Sequence, residues 1–350
     1  MTRFAKREYT LELVTPAFLG GYDQSAEWRT AGIKALIRQW WRVVYVAEHG
    51  VNVARMRTEE ASLFGSVNEA TGGAMQARLR IRLAEWKKGS LTTMPKGGQT
   101  VHPEVKGGMN IGTFLYLGYG PLGFERGGVK LNKGSALEPN QKNTLTLIGQ
   151  NLTDSEWKTV EKTIQLVHLF GTIGGRSRNG WGSIQLYDTK TSQPIATLDE
   201  LPVNSLPLEK CLAHDWPTSI ASYQNQALIW TGKTGGYSSW GEAMDQLAKI
   251  KIAVRTQFKF NSNRHPEPEP RHYLSYPITN HAVSPWGNNK RLPNALRFKV
   301  VKDASGKYLP IAVHLPHKLP ADFRSNISTE RLSQIWQQVY QKLDTEMKRI

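Results

Sequence analysis

Apolar and polar residues follow two distinct periods in the first 50 positions, and each period predicts one element. Residues 9–14, YTLELV, alternate with period two, as a half-buried strand does. The next stretch, TPAFLGG at 15–21, breaks that alternation with proline and glycine and predicts a loop. From Arg29 to about Glu48 an apolar stripe recurs at helical spacing, which predicts a helix with one face on a core. That stripe consists of Ile33, Ile37, Trp40 and Val44.

The same two periods recur as far as residue 187. Residues 75–83, MQARLRIRL, alternate apolar side chains with arginines, and NTLTLIG at 143–149 predicts a further strand. Thr153 and Glu156 form a capping box before an apolar stripe of Trp157, Val160, Ile164 and Val167, and SIQLY at 183–187 follows. The predicted order is strand, helix, strand, strand, helix, strand. This is the ferredoxin-like split motif, which RRM domains also use.

The remaining patterns divide the chain into two domains. Residues 1–190 form the first, with an insertion at about 86–142 that is rich in glycine, lysine and proline and contains one strand-like run, GTFLYLGYG. Residues 191–208 are proline-containing and predict a linker. Residues 209–350 predict a second, less regular ferredoxin-like domain. Its predicted elements are a helix from about Ser238 to Ile250, a hairpin of ALRFKVV and KYLPIAV, and a final helix from about Ser328. The predicted fold class is therefore α+β, with two ferredoxin-like (RRM-like) domains.

Composition adds a strong positive charge to this picture. The 350 residues contain 45 Lys and Arg against 29 Asp and Glu, which gives a formal net charge of +16 and a pI near 9.8. A pI in that range is typical of nucleic-acid-binding proteins, although a membrane surface or an acidic protein partner would also fit. No apolar run approaches the roughly 20 residues of a membrane span, and the N-terminus lacks the apolar core of a signal peptide. We therefore expect a cytoplasmic protein without a membrane partner.

One glycine-rich stretch combines conformational freedom with charge. Residues 171–183, GTIGGRSRNGWGS, contain Arg176 and Arg178 among glycines that can adopt positive φ. Successive free amides in such a loop would form an anion-binding concavity, and the two guanidinium groups would match phosphate oxygens. The alternative is that the glycines only shape a tight connection and that the arginines are solvated.

Two further basic stripes fit a nucleic-acid surface. Lys34, Arg38 and Arg42 are each four residues apart, so they share one face of the first helix beside its apolar stripe. On the strand at 75–83, Arg78, Arg80 and Arg82 share one face, where like charges repel unless an anion is present. The alternative for both stripes is a solvated outer face. The tryptophans Trp40, Trp41 and Trp181 could stack on bases, although Trp40 belongs to the apolar stripe and fits a core.

Patterns for catalysis or metal binding are weak. HPEPEPRH, residues 265–272, offers two histidines and two glutamates, but its prolines prevent a helix and its spacing matches no common zinc motif. TGKTGG at 231–236 has Ala227 where a P-loop requires glycine. His49, His168 and His214 have no acid, base or nucleophile partner at a diagnostic spacing. A single cysteine, Cys211, excludes a disulfide framework and a cysteine-based zinc site. We expect no cofactor, no metal and no catalytic residues.

The motifs in order resemble the RAMP superfamily of CRISPR effector subunits. They are TPAFLGG, RTAGIKALIRQWWR, LFGS, YLGYGP, GTIGGRSRNGWGS and RLPNALRFKV. The resemblance is strong over residues 9–188 and weaker from 209 to 350, and it is greatest to the first subunit of the type III-B Cmr complex. It implies two ferredoxin-like domains in a ribonucleoprotein whose other members include further RAMP subunits.

The resemblance also implies which residues contact RNA. The family's basic first helix corresponds to Lys34, Arg38 and Arg42. Its RNA-contacting loop corresponds to Gly174, Gly175, Arg176, Ser177, Arg178, Asn179, Gly180 and Gly182. The implied function is a non-catalytic subunit that holds guide RNA and single-stranded target RNA near the 3′ end of the guide. The alternative is a metal-independent RNA endonuclease that processes guide precursors with a histidine base, for which His168 is the histidine near a named loop.

Overall fold

A computed structural model describes residues 3–21, 23–68, 73–105, 107–126 and 128–350. The contacts within the chain divide it into two compact units. The first consists of Met1–Met94, Leu131–Ser177 and Trp181–Asn204, and the second consists of Pro95–Lys130, Arg178–Gly180 and Ser205–Ile350.

Both units contain strands and helices. Up to Asp188 the elements are β1 (Phe4–Leu13), α1 (Thr30–His49), α2 (Val53–Phe64), β2 (Ser66–Asn68), β3 (Gly73–Met75), β4 (Leu79–Leu83), β5 (Gln99–His102), β6 (Met109–Gly112), α3 (Thr113–Gly118), β7 (Leu122–Glu125), β8 (Gly128–Leu131), β9 (Lys142–Gln150), α4 (Asp154–Phe170) and β10 (Ile184–Asp188). From Leu206 onward they are β11 (Leu206–Pro207), α5 (Leu208–Cys211), β12 (Ala221–Tyr223), β13 (Gln226–Ala227), β14 (Ile229–Thr231), α6 (Trp240–Thr256), a 3₁₀ turn (Pro270–Tyr273), β15 (Leu296–Lys302), β16 (Tyr308–His314), α7 (Thr329–Glu346) and β17 (Lys348–Arg349).

The main sheet of the first unit has the strand order β10-β1-β9-β4, with antiparallel neighbours. Leu11 pairs with Leu186, and Ile81 pairs with Leu147, so apolar residues meet on one face. Helices α1 and α4 pack on each other and on this face. Arg80 and Arg82, the even-numbered residues of β4, point to the opposite face because side chains alternate along a strand.

The helices of the first unit form where the sequence predicts them. The apolar stripe of α1 is buried, and Gly50 ends the helix with a φ of 71°. Helix α4 begins with the predicted capping box, in which the Thr153 hydroxyl accepts from the Glu156 N–H at 3.2 Å. The Thr153 N–H donates to the Glu156 carboxylate at 2.8 Å. The predictions of β1, α1, β4, β9, α4 and β10 are thereby confirmed.

The main sheet of the second unit has the strand order β15-β16-β14-β17, again with antiparallel neighbours. The predicted hairpin and the final helix are present as β15, β16 and α7. The helix predicted to end at Ile250 continues to Thr256 as α6, because Ile252 and Val254 are also buried. The molecule is therefore a mixed α/β protein with antiparallel main sheets.

One prediction in the insertion is wrong. The run GTFLYLGYG was expected to be strand-like, but Thr113–Gly118 forms the short helix α3. Phe114 and Leu117 are buried, and the Phe114 ring stacks on Trp240 of α6 with a centroid distance of 5.2 Å. Apolar contacts with a helix more than 100 residues away thus override the local alternation.

Among the described helices, none combines the length and the apolar character that crossing a membrane requires.

Candidate nucleic-acid interface

The glycines of the 171–183 loop adopt the predicted conformations in part. Gly174, Gly180 and Gly182 have φ values of 86°, 93° and 63°. Arg176 also lies in the left-handed region, with a φ of 55°. These positions turn the chain back between α4 and β10, as a residue without a Cβ does most easily.

Two amides of this loop, those of Gly175 and Gly182, hydrogen-bond within the protein, so these two are not free to bind an anion. Gly175 N–H donates to the Phe18 carbonyl at 2.9 Å, and Gly182 N–H donates to the Pro16 carbonyl at 2.8 Å. A Cβ on Gly182 would lie 1.9 Å from the Ile173 carbonyl oxygen. A Cβ on Gly174 would lie 2.8 Å from the Phe18 carbonyl oxygen, so Gly174 lets the loop at 15–21 pack directly against this backbone.

The two loop arginines have different environments. Arg176 is exposed, whereas Arg178 is half-buried and its guanidinium donates to the Asn294 carbonyl at 3.0 Å. Burial lowers the pKa of Arg178. The Arg178 carbonyl in turn accepts from the N–H of Phe298 on β15 at 3.0 Å. Arg178 is thus part of the packing of the second unit.

The next two loop residues are buried in the second unit as well. The Asn179 side chain donates to the Leu117 carbonyl at 2.7 Å and accepts from Lys251 Nζ at 2.9 Å. A Cβ on Gly180 would lie 2.8 Å from the Met244 sulfur. The predicted loop residues that reach solvent are therefore Gly174, Gly175, Arg176, Ser177 and Arg178, of which only Arg176 is fully exposed.

The basic stripe of α1 has an internal counter-ion that the sequence analysis missed. Arg38 Nε donates to Glu60 of α2 at 2.8 Å, and Arg42 donates to both oxygens of the same carboxylate at 2.9 and 3.0 Å. Glu60 is 4% exposed. Its position four residues after Met56, on the apolar face of α2, was the available signal. Lys34 is half-buried and forms no ion pair with a described residue.

The three arginines at and just before β4 differ in environment: Arg78 has an ion-pair partner, whereas Arg80 and Arg82 are exposed. Arg78 forms an ion pair with Glu156 and donates to the Asn151 carbonyl at 3.1 Å. Burial alone would raise the pKa of Glu156, but the hydrogen bonds from Arg78 and Thr153 outweigh it and lower that pKa. Arg80 and Arg82 are exposed, and neither forms an ion pair with a described residue. Their face of the sheet therefore presents two adjacent cations to solvent.

The three candidate tryptophans are core residues. Trp40, Trp41 and Trp181 are 0%, 4% and 0% exposed. Trp181 lies against Phe18 with a centroid distance of 5.1 Å. These rings are not accessible to a base, so the core interpretation of Trp40 extends to all three.

His168 and His265 are held by contacts within the protein. His168 is 4% exposed, and its Nδ1 accepts from the Leu186 N–H at 2.9 Å. In the HPEPEPRH segment, His265 contacts Glu269 at 2.7 Å and His281 at 2.9 Å. Within the described part of the chain no group of three or more His, Cys, Asp or Glu side chains is arranged to hold a metal ion.

Comparisons with known proteins were made on sequence and on structure. A family model described as the RAMP superfamily matches residues 10–185. The CRISPR system Cmr subunit Cmr1-2 of Pyrococcus furiosus is 30% identical over 84 residues, which is 24% of this chain. The match spans 43% of that relative's length.

The solved structures that match this chain have low sequence identity. The crystal structure of Cmr1 from Pyrococcus furiosus in its apo form has a TM-score of 0.46 at 15% identity and covers 97% of both chains. A chain of the cryo-EM structure of the type III-B Cmr-beta complex bound to cognate target RNA and AMPPnP, in the presence of ssDNA, has a TM-score of 0.45 at 12% identity. It covers 97% of this chain and 98% of that one.

The family model spans half of the sequence, from within β1 to within β10, and includes the 171–183 loop and both basic stripes. On that match, the chain belongs to the RAMP superfamily.

Proposed function

We propose that this protein is a non-catalytic RNA-binding subunit of a type III-B CRISPR effector ribonucleoprotein. The observation that carries the proposal is the pair Arg80 and Arg82, exposed side by side on the face of the sheet opposite α1 and α4. Two guanidinium groups two residues apart repel each other in isolation, and a polyanion lying along the strand relieves that repulsion.

Family membership and one named relative support the assignment to a Cmr-type complex. The chain is a RAMP protein, and the relative Cmr1-2 is described as a Cmr subunit of a CRISPR system. On this basis the partners are guide RNA, single-stranded target RNA and other RAMP subunits, with contacts near the 3′ end of the guide. Antiviral defence is the process that such a complex serves.

Recognition in this proposal depends on phosphate and sugar rather than on base edges. Arginine side chains on a sheet face bind a sugar–phosphate backbone in any sequence, because phosphate contacts fix position without reading bases. A subunit that serves arbitrary guides needs this property, since base pairing between guide and target supplies the sequence specificity. Arg80, Arg82 and Arg176 are the exposed members of the predicted RNA-binding set that fit this role.

The strand orders of the two main sheets support two ferredoxin-like domains. The sheets β10-β1-β9-β4 and β15-β16-β14-β17 have the same strand order when the strands of each unit are numbered along the chain. In both units two helices join the four strands in the order of the split motif. We retain domain limits at 1–190 and 209–350, a linker at 191–208 and an insertion at about 86–142 as part of this proposal.

The environment of His168 disfavours the endonuclease alternative. A general base must reach a ribose 2′-hydroxyl at hydrogen-bond distance. The Nδ1 atom of His168, on α4, instead accepts the backbone N–H of Leu186 on β10. The ring is nearly inaccessible to solvent. A nuclease in this chain would need a different base.

The test is the salt dependence of single-stranded RNA binding by the full chain, with Arg80→Ala/Arg82→Ala as the variant. We expect affinity to fall steeply with salt, and the double variant to reduce the slope of log K against log salt by about 1.4, since each phosphate contact contributes about 0.7 on a single strand. RNA recovered from the binding reaction is run on a gel.

The matched control is Arg55→Ala/Arg57→Ala, which removes the same charge from exposed positions of α2. Its salt slope should stay at the wild-type value. Equal slopes for both double variants would contradict the assignment of RNA binding to Arg80 and Arg82 on β4. Cleaved RNA would favour the nuclease alternative.

A further inference from the structure

Segment 95–130, within the insertion at about 86–142, contains a small cavity with the chemistry of a nucleobase site. Its volume is about 250 Å³. Aromatic, amide and charged side chains line it together: Phe114, Phe124, Gln99, Asn110, Lys96 and Glu125. Sites for drug-sized ligands measure roughly 300 to 1,000 Å³. The smaller cavity here suits a single planar ring system.

The floor of the cavity is fixed by contacts within the second unit. Gly98 N–H donates to the Asp245 carboxylate of α6 at 3.0 Å, and the Thr113 hydroxyl contacts the same carboxylate. Thr113 N–H donates to the Gly98 carbonyl at 3.0 Å. Gly97 lies directly on the Phe114 ring, because a Cβ there would be 2.5 Å from it. A preformed floor lowers the ordering cost of binding a ligand.

The rim carries the groups that would hold a base. Phe124 on β7 is 74% exposed, a large apolar surface that a stacked ring would cover. Gln99 and Asn110 lie on the same face of the β5–β6 hairpin and offer both donors and acceptors to a base edge. Lys96 is exposed at the entrance and would pair with a phosphate. Residues 95–130 contain four basic residues against two acidic ones, which favours a polyanion over a neutral ring compound.

We propose that this cavity binds one unpaired base of single-stranded RNA, with Phe124 stacking on the base and Lys96 contacting the adjacent phosphate. The inference rests on the proposed RNA-binding function and adds to it a contact that depends on the base. Stacking tolerates any base because every base has a π face. The site therefore agrees with a subunit that accepts arbitrary guide sequences.

The test compares two single-stranded oligomers of equal length, an oligoadenylate RNA and the same sugar–phosphate chain without bases. Phe124→Ala should weaken binding of the oligoadenylate roughly 5- to 150-fold, the effect of losing one stacked base, and leave the abasic chain unaffected. Phe124→Tyr should retain wild-type affinity for both. The matched control is Tyr119→Ala, an aromatic residue of the same insertion that is 66% exposed but lies outside the cavity lining.

The outcomes separate this site from the wider function. If the wild-type protein binds both oligomers and Phe124→Ala changes neither affinity, or changes both equally, the base site is contradicted while backbone binding stands. If Tyr119→Ala weakens oligoadenylate binding as much as Phe124→Ala does, the cavity is not the determinant. If the wild-type protein binds neither oligomer at any salt concentration, both this proposal and the proposed function are overturned.

Discussion

The backbone N–H of Gly175 donates a 2.9 Å hydrogen bond to the carbonyl oxygen of Phe18, so two loops far apart in sequence share one backbone contact. Gly174 is required for this approach, because a Cβ there would lie 2.8 Å from the Phe18 carbonyl oxygen at a φ of 86°. The conformation of the 171–183 loop is therefore needed for packing against the loop at 15–21, whether or not it also contacts RNA.

The first prediction concerns Gly182. Gly182→Ala places a Cβ 1.9 Å from a carbonyl oxygen at a positive φ, and it should lower the free energy of unfolding of the first unit by about 3 kcal/mol or more. The matched control is Gly50→Ala, where φ is 71° but no atom lies within 4 Å of the added Cβ. In that variant the free energy of unfolding should fall by about 1 to 2 kcal/mol, from backbone strain alone. Thermal unfolding, monitored by circular dichroism, measures the loss of stability in both variants. Equal losses would contradict the close approach of Gly182 to the Ile173 carbonyl oxygen.

The second prediction separates the two loop arginines. Arg178→Ala leaves the Asn294 carbonyl without its donor and should reduce stability by about 1 to 3 kcal/mol. Arg176→Ala changes an exposed residue, and it should alter stability by less than about 0.5 kcal/mol while weakening RNA binding at low salt. Unfolding and RNA titration are measured on both variants. The opposite assignment of the two effects would show that Arg178 is the RNA ligand.

The third prediction concerns the carboxylate that holds Arg38 and Arg42. Glu60→Gln removes a buried charge that pairs with two partly exposed arginines, and it should cost about 1 to 2 kcal/mol of unfolding free energy. Glu59→Gln is the control on the same helix, because the ion pair that it breaks, an i,i+4 pair with Arg55, is exposed. That control should change stability by less than about 0.5 kcal/mol. Chemical denaturation gives both values, and similar losses would mean that burial of Glu60 adds nothing.

The fourth prediction is a loss of stability in acid. Burial lowers the pKa of His272 to about 4, and its Nδ1 accepts the Glu269 N–H at 3.0 Å. Between pH 6.5 and 4 the unfolded chain binds a proton that the folded chain does not. Stability therefore decreases as the pH falls through this window, by about 1 kcal/mol per pH unit for this one residue. Burial also lowers the pKa of His281 and His314, which adds to the same slope.

Denaturation midpoints between pH 7.5 and 4.5 measure that slope. His272→Gln should reduce it. An unchanged slope in His272→Gln would mean that other groups account for the acid sensitivity.

The periodicity of the sequence correctly predicted the elements that bury one continuous apolar face. The alternation of residues 9–14 and the stripe of Ile33, Ile37 and Val44 are enough to place β1 and α1, because a buried face must be apolar along its whole length. The same argument failed at Thr113–Gly118. There Phe114 packs on Trp240, and no local pattern can contain that contact.

The candidate site was predictable in composition but not in contacts. The positive φ values of Gly174, Gly180 and Gly182 follow from residue type. The partners of Arg38, Arg78 and Arg178 lie on other elements, so a stripe of like charges in sequence gives no measure of how many charges are already neutralised. The sequence does not distinguish Arg78, which pairs with Glu156 just before β4, from Arg80 and Arg82 on β4, which remain exposed.

The hydrogen bond from Phe298 N–H to the Arg178 carbonyl also determines how the second sheet ends. Strand β15 lies at one edge of that sheet, and the segment 178–180 pairs with it through a parallel bridge between Asn179 and Phe298. The other edge is β17, which consists of only Lys348 and Arg349. An edge covered by a loop and an edge that is short and charged both resist the addition of a foreign strand. The second sheet is therefore protected at both edges against intermolecular strand pairing and the aggregation that follows from it.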